Sequence, residues 1–211
     1  MVEEKKEPSA DEAAKQKAKD AEKLKAKIIK EGGKKGVEIE GASDMGGLDF
    51  FCTTMELPEG DLDFLELSMV AMNAQPDPEA EDRKGCSGHV GKMIFSAGVE
   101  QLAIVGYVPG KEHNKSAEKV ELAKWMDAVC KATDGKIVKK PATADSPNGG
   151  TFATAVVKSD PGKGKFAIKD KDSAMAAAFN YLRSVDAFPE DDGDDSDDMV
   201  FGDDDNLDDY E

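Results

Sequence analysis

Short runs of apolar residues, separated by polar and turn-forming residues, predict several short strands in the middle of the chain. The expected strands are rich in aromatic and β-branched residues, and they lie at 50–55, 90–97, 102–108, 137–138, 152–158 and 165–169. The two at 90–97 and 102–108 are close enough to form a hairpin. Residues 152–158 and 165–169 are expected to form a second hairpin, because turn-forming residues separate them.

Apolar residues at helical spacing predict three helices between these strands. The first begins after Asp61, which can cap it, and Pro76 follows its end. The second begins near Ser116 and ends at Asp134-Gly135. The third begins at Asp172 or Ser173 and ends near Phe188. Each helix therefore has one apolar face that can cover a sheet.

The order strand, helix, two strands, helix, strand predicts an α+β fold. It is the β-α-β-β-α-β order of a ferredoxin-like two-layer sandwich, in which two helices cover one face of an antiparallel sheet. The expected domain spans residues 48–189 and is extended by a β-hairpin and a C-terminal helix. Residues 141–150 are expected to form a flexible joint within it.

The N-terminal region has a different composition and predicts a helical arm. Residues 10–31 are nearly all strong helix formers, and Gly32-Gly33 are expected to end the helix. We therefore predict a lysine-rich helical arm at 1–35 and a glycine-rich linker at 36–47. The expected arm has only a narrow apolar stripe, so most of its surface should face solvent.

Charge divides the chain into three parts. The 211 residues carry a formal net charge of −17, and thirteen acidic residues with no Lys or Arg lie in 190–211. Residues 13–35 instead hold nine lysines against three acidic residues, a net charge of +6. The acidic segment contains too little apolar surface to fold alone, so we predict a disordered tail.

The lysines of the arm are candidate contacts for a polyanion such as RNA. A cationic helix can follow a phosphate backbone, although a charged extension with no partner is the simpler alternative. The turn after the strand at 152–158 is a second candidate for nucleic-acid contact, with a merely charged hairpin tip as the alternative. The candidate residues are Lys15, Lys19, Lys23, Lys27, Lys30, Lys34 and Lys35 in the arm, and Lys163 and Lys165 in the turn.

Only one arrangement suggests catalysis, and the sequence supports it weakly. Cys86 lies three residues before His89, but no third orienting group or family motif accompanies the pair. His113 lies in a polar loop, and neither histidine has the spacing of a zinc ligand. We therefore expect no catalytic residue, no metal and no cofactor. An enzyme with a Cys86/His89 site remains an alternative.

The acidic tail contains an apolar island that predicts a docking motif. Met199, Val200 and Phe201 interrupt the acidic residues, and one aromatic anchor can bind a basic groove on a partner. Ser196 has two aspartates on each side, so we predict that it is a substrate for acid-directed kinases.

Residues 194–202, Asp-Asp-Ser-Asp-Asp-Met-Val-Phe-Gly, resemble the acidic C-termini of ribosomal stalk proteins. They also resemble the acidic Phe-Gly stretch that precedes the exchange domain of elongation factor 1 subunits. Val200 replaces the small residue before Phe, and nine residues follow Gly202, whereas stalk proteins end almost at once. The resemblance implies docking to translation factors and a ferredoxin-like domain.

These observations favour a non-enzymatic interaction protein associated with a ribonucleoprotein or the translation machinery. The arm would contact RNA, and the tail would dock a partner with a basic groove. An acidic chaperone for histones or other basic proteins is the main alternative. No apolar run is long enough for a membrane span and no targeting peptide is visible, so we expect a cytoplasmic protein, with a nuclear location as the alternative.

Overall fold

The computed structural model describes residues 10–80, 83–144 and 146–189, with side chains from residue 19 onward. Four α-helices and five strands alternate along this part of the chain. In order they are α1 (Ala10–Gly46), β1 (Phe50–Thr54), α2 (Leu62–Met72), β2 (Gly91–Ala97), β3 (Gln101–Val108), α3 (Leu122–Thr133), β4 (Lys136–Thr143), β5 (Thr151–Lys158) and α4 (Ala167–Ser184). The described fold is therefore α+β, as predicted.

The strands form one mixed sheet in the order β1-β2-β3-β5-β4. β1 runs parallel to β2, while the other neighbouring strands are antiparallel. A parallel pair requires a crossover connection, and α2 with the loop after it supplies that connection. β5 lies between β3 and β4, so the last of the described strands is inside the sheet.

Helices cover both faces of the sheet, because successive strand residues point to opposite sides. One core contains Phe50, Phe95 and Ile104 of the sheet, and α3 and α4 cover it with Trp125 and Leu182. The other core contains sheet residues such as Ile94 and Val105, packed against Leu65, Met69 and Met72 of α2. α1 packs on the outer side of α2.

Local capping explains where the predicted helices begin and end. The Asp61 carboxylate accepts a hydrogen bond from the Phe64 amide at 3.0 Å, which caps α2 as predicted. Asp134 adopts a left-handed conformation with φ of 54° and ends α3, also as predicted. A short 3-10 helix at Lys115–Glu118 precedes α3, so the predicted start near Ser116 is six residues early for the α-helix itself.

The ferredoxin-like topology that the element order predicted is not confirmed, because the strand order differs. That prediction placed both helices on one face of an antiparallel sheet. The structure has a parallel β1/β2 pair, and α2 covers one face while α3 and α4 cover the other. The long connection at 73–90 allows β2 to pair beside β1 in the same direction, which the element order alone does not specify.

Two predictions about the C-terminal part of the domain are wrong. Residues 165–169 do not form a strand, since α4 begins at Ala167, five residues before the predicted cap at Asp172. Residues 141–143 are part of β4, although 141–150 was predicted as a flexible joint. The hairpin partner of β5 is therefore β4.

The predicted end of the arm at Gly32-Gly33 and the linker at 36–47 are also wrong. α1 continues as one helix to Gly46, so it is 37 residues, or about 55 Å, long. Three of its glycines lie against other backbone or side-chain atoms, and α1 and α2 pack closely there. Tertiary packing has overridden the low helix propensity of glycine at these positions.

Candidate functional site

The second half of α1 is fixed to the domain by a small-residue contact with α2. Ile28 is fully buried, and Ile39 is 5% exposed. Between them, a Cβ added at Gly32 would lie 2.8 Å from the Ser68 carbonyl oxygen, and one at Gly36 would lie 2.5 Å from that of Met72. The two helices are therefore in backbone contact, and the direction of α1 is set by the domain.

Five of the arm lysines lie on the face of α1 opposite this contact. Successive residues of an α-helix are offset by about 100° around its axis. The five lysines therefore fall within an arc of about 80°, and the buried face lies on the other side. All five side chains are exposed; they belong to Lys19, Lys23, Lys27, Lys30 and Lys34. We call this set the lysine stripe. Lys15 continues the lysine stripe by its position in α1, but the structure describes side chains only from residue 19 onward.

Lys35 and the two turn lysines do not join the lysine stripe. Lys35 is partly buried and pairs with Glu38 at 2.8 Å. Lys163 is exposed and lies 3.2 Å from Asp160. Lys165 donates a hydrogen bond to the Thr133 carbonyl oxygen at 2.7 Å, which ties it to the end of α3. Since α3 covers the face of the sheet away from α1, the predicted basic residues form two separate sets.

The predicted docking and phosphorylation residues, Ser196, Met199, Val200 and Phe201, lie outside the described part of the chain. The predictions for them therefore rest on sequence.

Cys86 and His89, the alternative catalytic pair, contact different partners. The Cys86 sulfur lies 3.4 Å from the Nζ atom of Lys92. His89 Nε2 instead lies 3.8 Å from Glu40 of α1, and Arg83 also pairs with that carboxylate. The imidazole is thus engaged with α1, and the thiol belongs to a different cluster.

A buried lysine at the centre of this cluster was missed by the sequence analysis. Lys92 of β2 is completely buried, and its Nζ donates to the Asn73 amide oxygen at 2.5 Å. The same atom lies 5.1 Å from the centre of the Tyr107 ring. Lys92 shares a sheet face with the apolar residues Val90 and Ile94. An ionisable residue at an inward position of a strand was the signal that could have identified it.

Burial lowers the pKa of the Lys92 ammonium, and the neighbouring Cys86 sulfur and Glu40 carboxylate oppose that shift. The Tyr107 hydroxyl beside it contacts two carbonyl oxygens, those of Gly88 and Gly149, each at 2.7 Å. The Lys92 cluster, which we define as Asn73, Cys86, Lys92 and Tyr107, therefore joins α2, β2, β3 and two loops in one polar core.

No protein-family model matches this chain, and no curated protein matches it in sequence.

Within 10–80, 83–144 and 146–189, no three His, Cys, Asp or Glu side chains are grouped closely enough to hold a metal ion. Over the same ranges, no helix combines the length and hydropathy needed to cross a membrane.

Proposed function

We propose that this protein is a non-enzymatic interaction protein that binds RNA through the lysine stripe, within a ribonucleoprotein such as the translation machinery. The observation that carries the proposal is the position of the stripe, directly opposite the face by which α1 packs on α2. Its lysines occur every three or four residues, so they repeat about every 4.5–6 Å along the helix axis. A row of exposed cations on a fixed helix can contact consecutive phosphates.

The contact of α1 with α2 supports this function. A frayed extension would lose conformational entropy on binding RNA, whereas a helix fixed by the packing of Ile28, Gly32, Gly36 and Ile39 has already lost part of it. The same packing fixes the direction in which the arm leaves the domain. The lysine stripe therefore presents its charges in a preorganised arrangement.

The acidic segment 190–211 supplies the second half of the proposal. Its charge suits a partner with a basic groove, and Phe201 is the proposed anchor, with Met199 and Val200 beside it. In affinity purification, we expect the wild-type protein to retain the partner and the Phe201→Ala variant to lose it. Met45→Ala is a suitable control because that side chain is 88% exposed on α1. Equal recovery of the partner by both variants would argue against the anchor.

The experiment for the lysine stripe compares two quadruple Lys→Gln variants of equal charge. The arm variant changes Lys19, Lys23, Lys27 and Lys30, and the control changes Lys111, Lys115, Lys131 and Lys136, all exposed. Binding to a fluorescent ribosomal RNA fragment at low salt should weaken by at least about tenfold in the arm variant only. Co-sedimentation with ribosomes should fall in parallel.

The results separate this function from the acidic-chaperone alternative. Equal RNA affinities for the two quadruple variants would contradict the role of the stripe. Histone binding that depends on residues 190–211, together with absent RNA binding, would support the chaperone instead.

A further inference from the structure

The Lys92 cluster holds an amine and a thiol in direct contact inside the protein. Lys92 Nζ and Cys86 Sγ are 3.4 Å apart, and both residues are completely buried. Cys86 lies in the segment after α2, and Lys92 is the second residue of β2. Two nucleophilic groups therefore share one enclosed site.

Lys92 has an unusual set of partners for a buried lysine. Buried ammonium groups are normally paired with a carboxylate, because an uncompensated charge in the interior is costly. Among the described residues no carboxylate oxygen lies within ion-pair distance of its Nζ. The charge of Glu40 acts on the Lys92 ammonium from a longer distance, and the Glu40 carboxylate itself pairs with Arg83 and lies 3.8 Å from His89. An amide oxygen, a thiol and an aromatic ring thus replace the usual counter-ion.

We propose that Cys86 and Lys92 form an oxidation site, at which a peroxide converts the thiol and the amine into a covalent sulfur–nitrogen link. The proposal goes beyond RNA binding and does not depend on it.

The chemistry proceeds in two balanced steps with hydrogen peroxide as the oxidant. In the first, the sulfur attacks peroxide, the O–O bond breaks, and the thiol becomes a sulfenic acid with release of one water. In the second, the Lys92 lone pair attacks that sulfur and the S–O bond breaks. The departing oxygen leaves as water with one amine proton. Sulfur loses two electrons overall, and the protein loses two hydrogen atoms.

The buried environment favours the second step. Lys92 is completely buried, and burial is the main cause that lowers the pKa of its ammonium group. In a desolvated site the amine then loses its proton more readily and becomes the nucleophile. The flexible lysine stem allows the nitrogen to close the remaining distance. Sulfenic acids condense with backbone nitrogen in the same way.

The other two cysteines lack this geometry. Cys52 is partly buried and Cys130 is buried, and burial raises the pKa of both thiols. Within the described residues, neither sulfur has a side-chain amine at hydrogen-bond distance. They therefore serve as internal controls for unselective oxidation.

The link would strengthen the attachment of α1 to the sheet. The Gly85 amide donates to the Gly33 carbonyl oxygen of α1 at 2.8 Å, and the Cys86 amide donates to that of Met72 at 2.8 Å. The segment around Cys86 is thus the connection between α1, α2 and the loop before β2. A covalent bond from Cys86 to β2 would fix that connection.

The test treats the reduced full-length protein with hydrogen peroxide and maps its peptides by tandem mass spectrometry. We expect a Cys86–Lys92 linked species that is lighter by two hydrogen atoms than the unlinked chain, and that dithiothreitol reverses. This measurement needs no variant. Recovery of Cys86 as a free thiol, a sulfinic acid or a disulfide, with no linked species, would overturn the proposal.

Dimedone, which traps sulfenic acids, provides a second test. Lys92→Met and Lys92→Arg remove the nucleophilic amine, and the Arg variant keeps a cation beside the sulfur. We expect strong dimedone labelling of Cys86 in either folded variant and weak labelling in the wild type. Equal labelling in all three proteins would show that Lys92 does not capture the sulfenic acid.

Discussion

The backbone of Gly36 in α1 lies directly against the backbone of Met72 at the end of α2. A Cβ atom added at Gly36 would be 2.5 Å from the Met72 carbonyl oxygen and 3.0 Å from its Cα. Such distances leave no room for a side chain, and the opposing atoms belong to a helix end that cannot move independently. This contact fixes the arm that carries the lysine stripe.

Gly36→Ala should therefore destabilise the protein. We expect a loss of about 1–3 kcal/mol, because the added methyl group forces α1 and α2 apart. Urea unfolding followed by fluorescence of Trp125, the single tryptophan, measures the change.

Gly41→Ala is the matched control, since nothing lies within 4 Å of its added Cβ. This substitution should stabilise the helix by about 0.5–1 kcal/mol. Similar stabilities for the two variants would contradict the close contact.

The same glycines show why the extent of α1 was mispredicted. Gly32, Gly33 and Gly36 have low helix propensity, so the sequence alone predicts a helix end and a linker there. Their role depends on which residues of α2 and of the loop at 84–85 pack against them, and a local pattern does not contain that information. Capping is a local interaction, so the ends at Asp61 and Asp134 were predictable.

The Lys92 ammonium should make stability depend on pH in a defined direction. Burial lowers its pKa in the folded state below the ordinary value of 10.5. Between the lowered pKa and 10.5 the unfolded chain binds the proton more readily, so stability rises with pH in that window. The effect is lost when Lys92 is replaced by Met.

The measurement compares Cys86→Ser with the Cys86→Ser/Lys92→Met double variant, so that thiol titration does not contribute. Tyr107 and Glu40, the other ionisable neighbours, are common to both proteins. The stability of the Lys92-containing protein relative to the double variant should increase with pH between the lowered folded-state pKa and 10.5. A constant difference would mean that burial does not perturb Lys92.

The Tyr107 hydroxyl should contribute more to stability than a typical exposed hydroxyl. It contacts the carbonyl oxygens of Gly88 and Gly149 at 2.7 Å and the Ser146 hydroxyl at 3.1 Å, joining two loops to β3. Tyr107→Phe removes the phenolic O–H that is shared between the two carbonyl oxygens and should cost about 1–3 kcal/mol.

Tyr181→Phe is the comparison, since that hydroxyl bonds to Glu121 at an exposed site. We expect a change within about 0.5 kcal/mol there. Thermal or urea unfolding of both variants is the measurement, and equal losses would contradict a special role for Tyr107.

Removal of residues 190–211 should raise affinity for RNA at low salt. The segment carries thirteen acidic residues, and we expect it to compete with RNA for the lysines of the same chain in a contact that salt screens. A second variant keeps the length and replaces each Asp or Glu by Asn or Gln. Fluorescence polarisation should show tighter binding for both variants, and unchanged affinities would refute self-inhibition.

Hydrophobic patterning identified most strands and three helix faces, but it did not specify how the strands pair. The apolar runs around Phe95 and Ile104 predict strands whichever neighbour these strands have. The parallel β1/β2 pair and the position of β5 beside β3 depend on the crossovers at 73–90 and 109–150. Lys92 was missed because its burial follows from tertiary packing, which gives it Asn73, Cys86 and Tyr107 as partners.

The salt dependence of RNA binding tests the role of the lysine stripe most directly. Each lysine–phosphate contact contributes about 0.7–0.9 to the slope of log Kobs against log salt. Replacing Lys19, Lys23, Lys27 and Lys30 by Gln should therefore reduce the magnitude of the slope by about 3. The control that changes Lys111, Lys115, Lys131 and Lys136 should keep the wild-type slope. Equal slopes for the two variants would contradict the proposal that the stripe contacts the phosphate backbone.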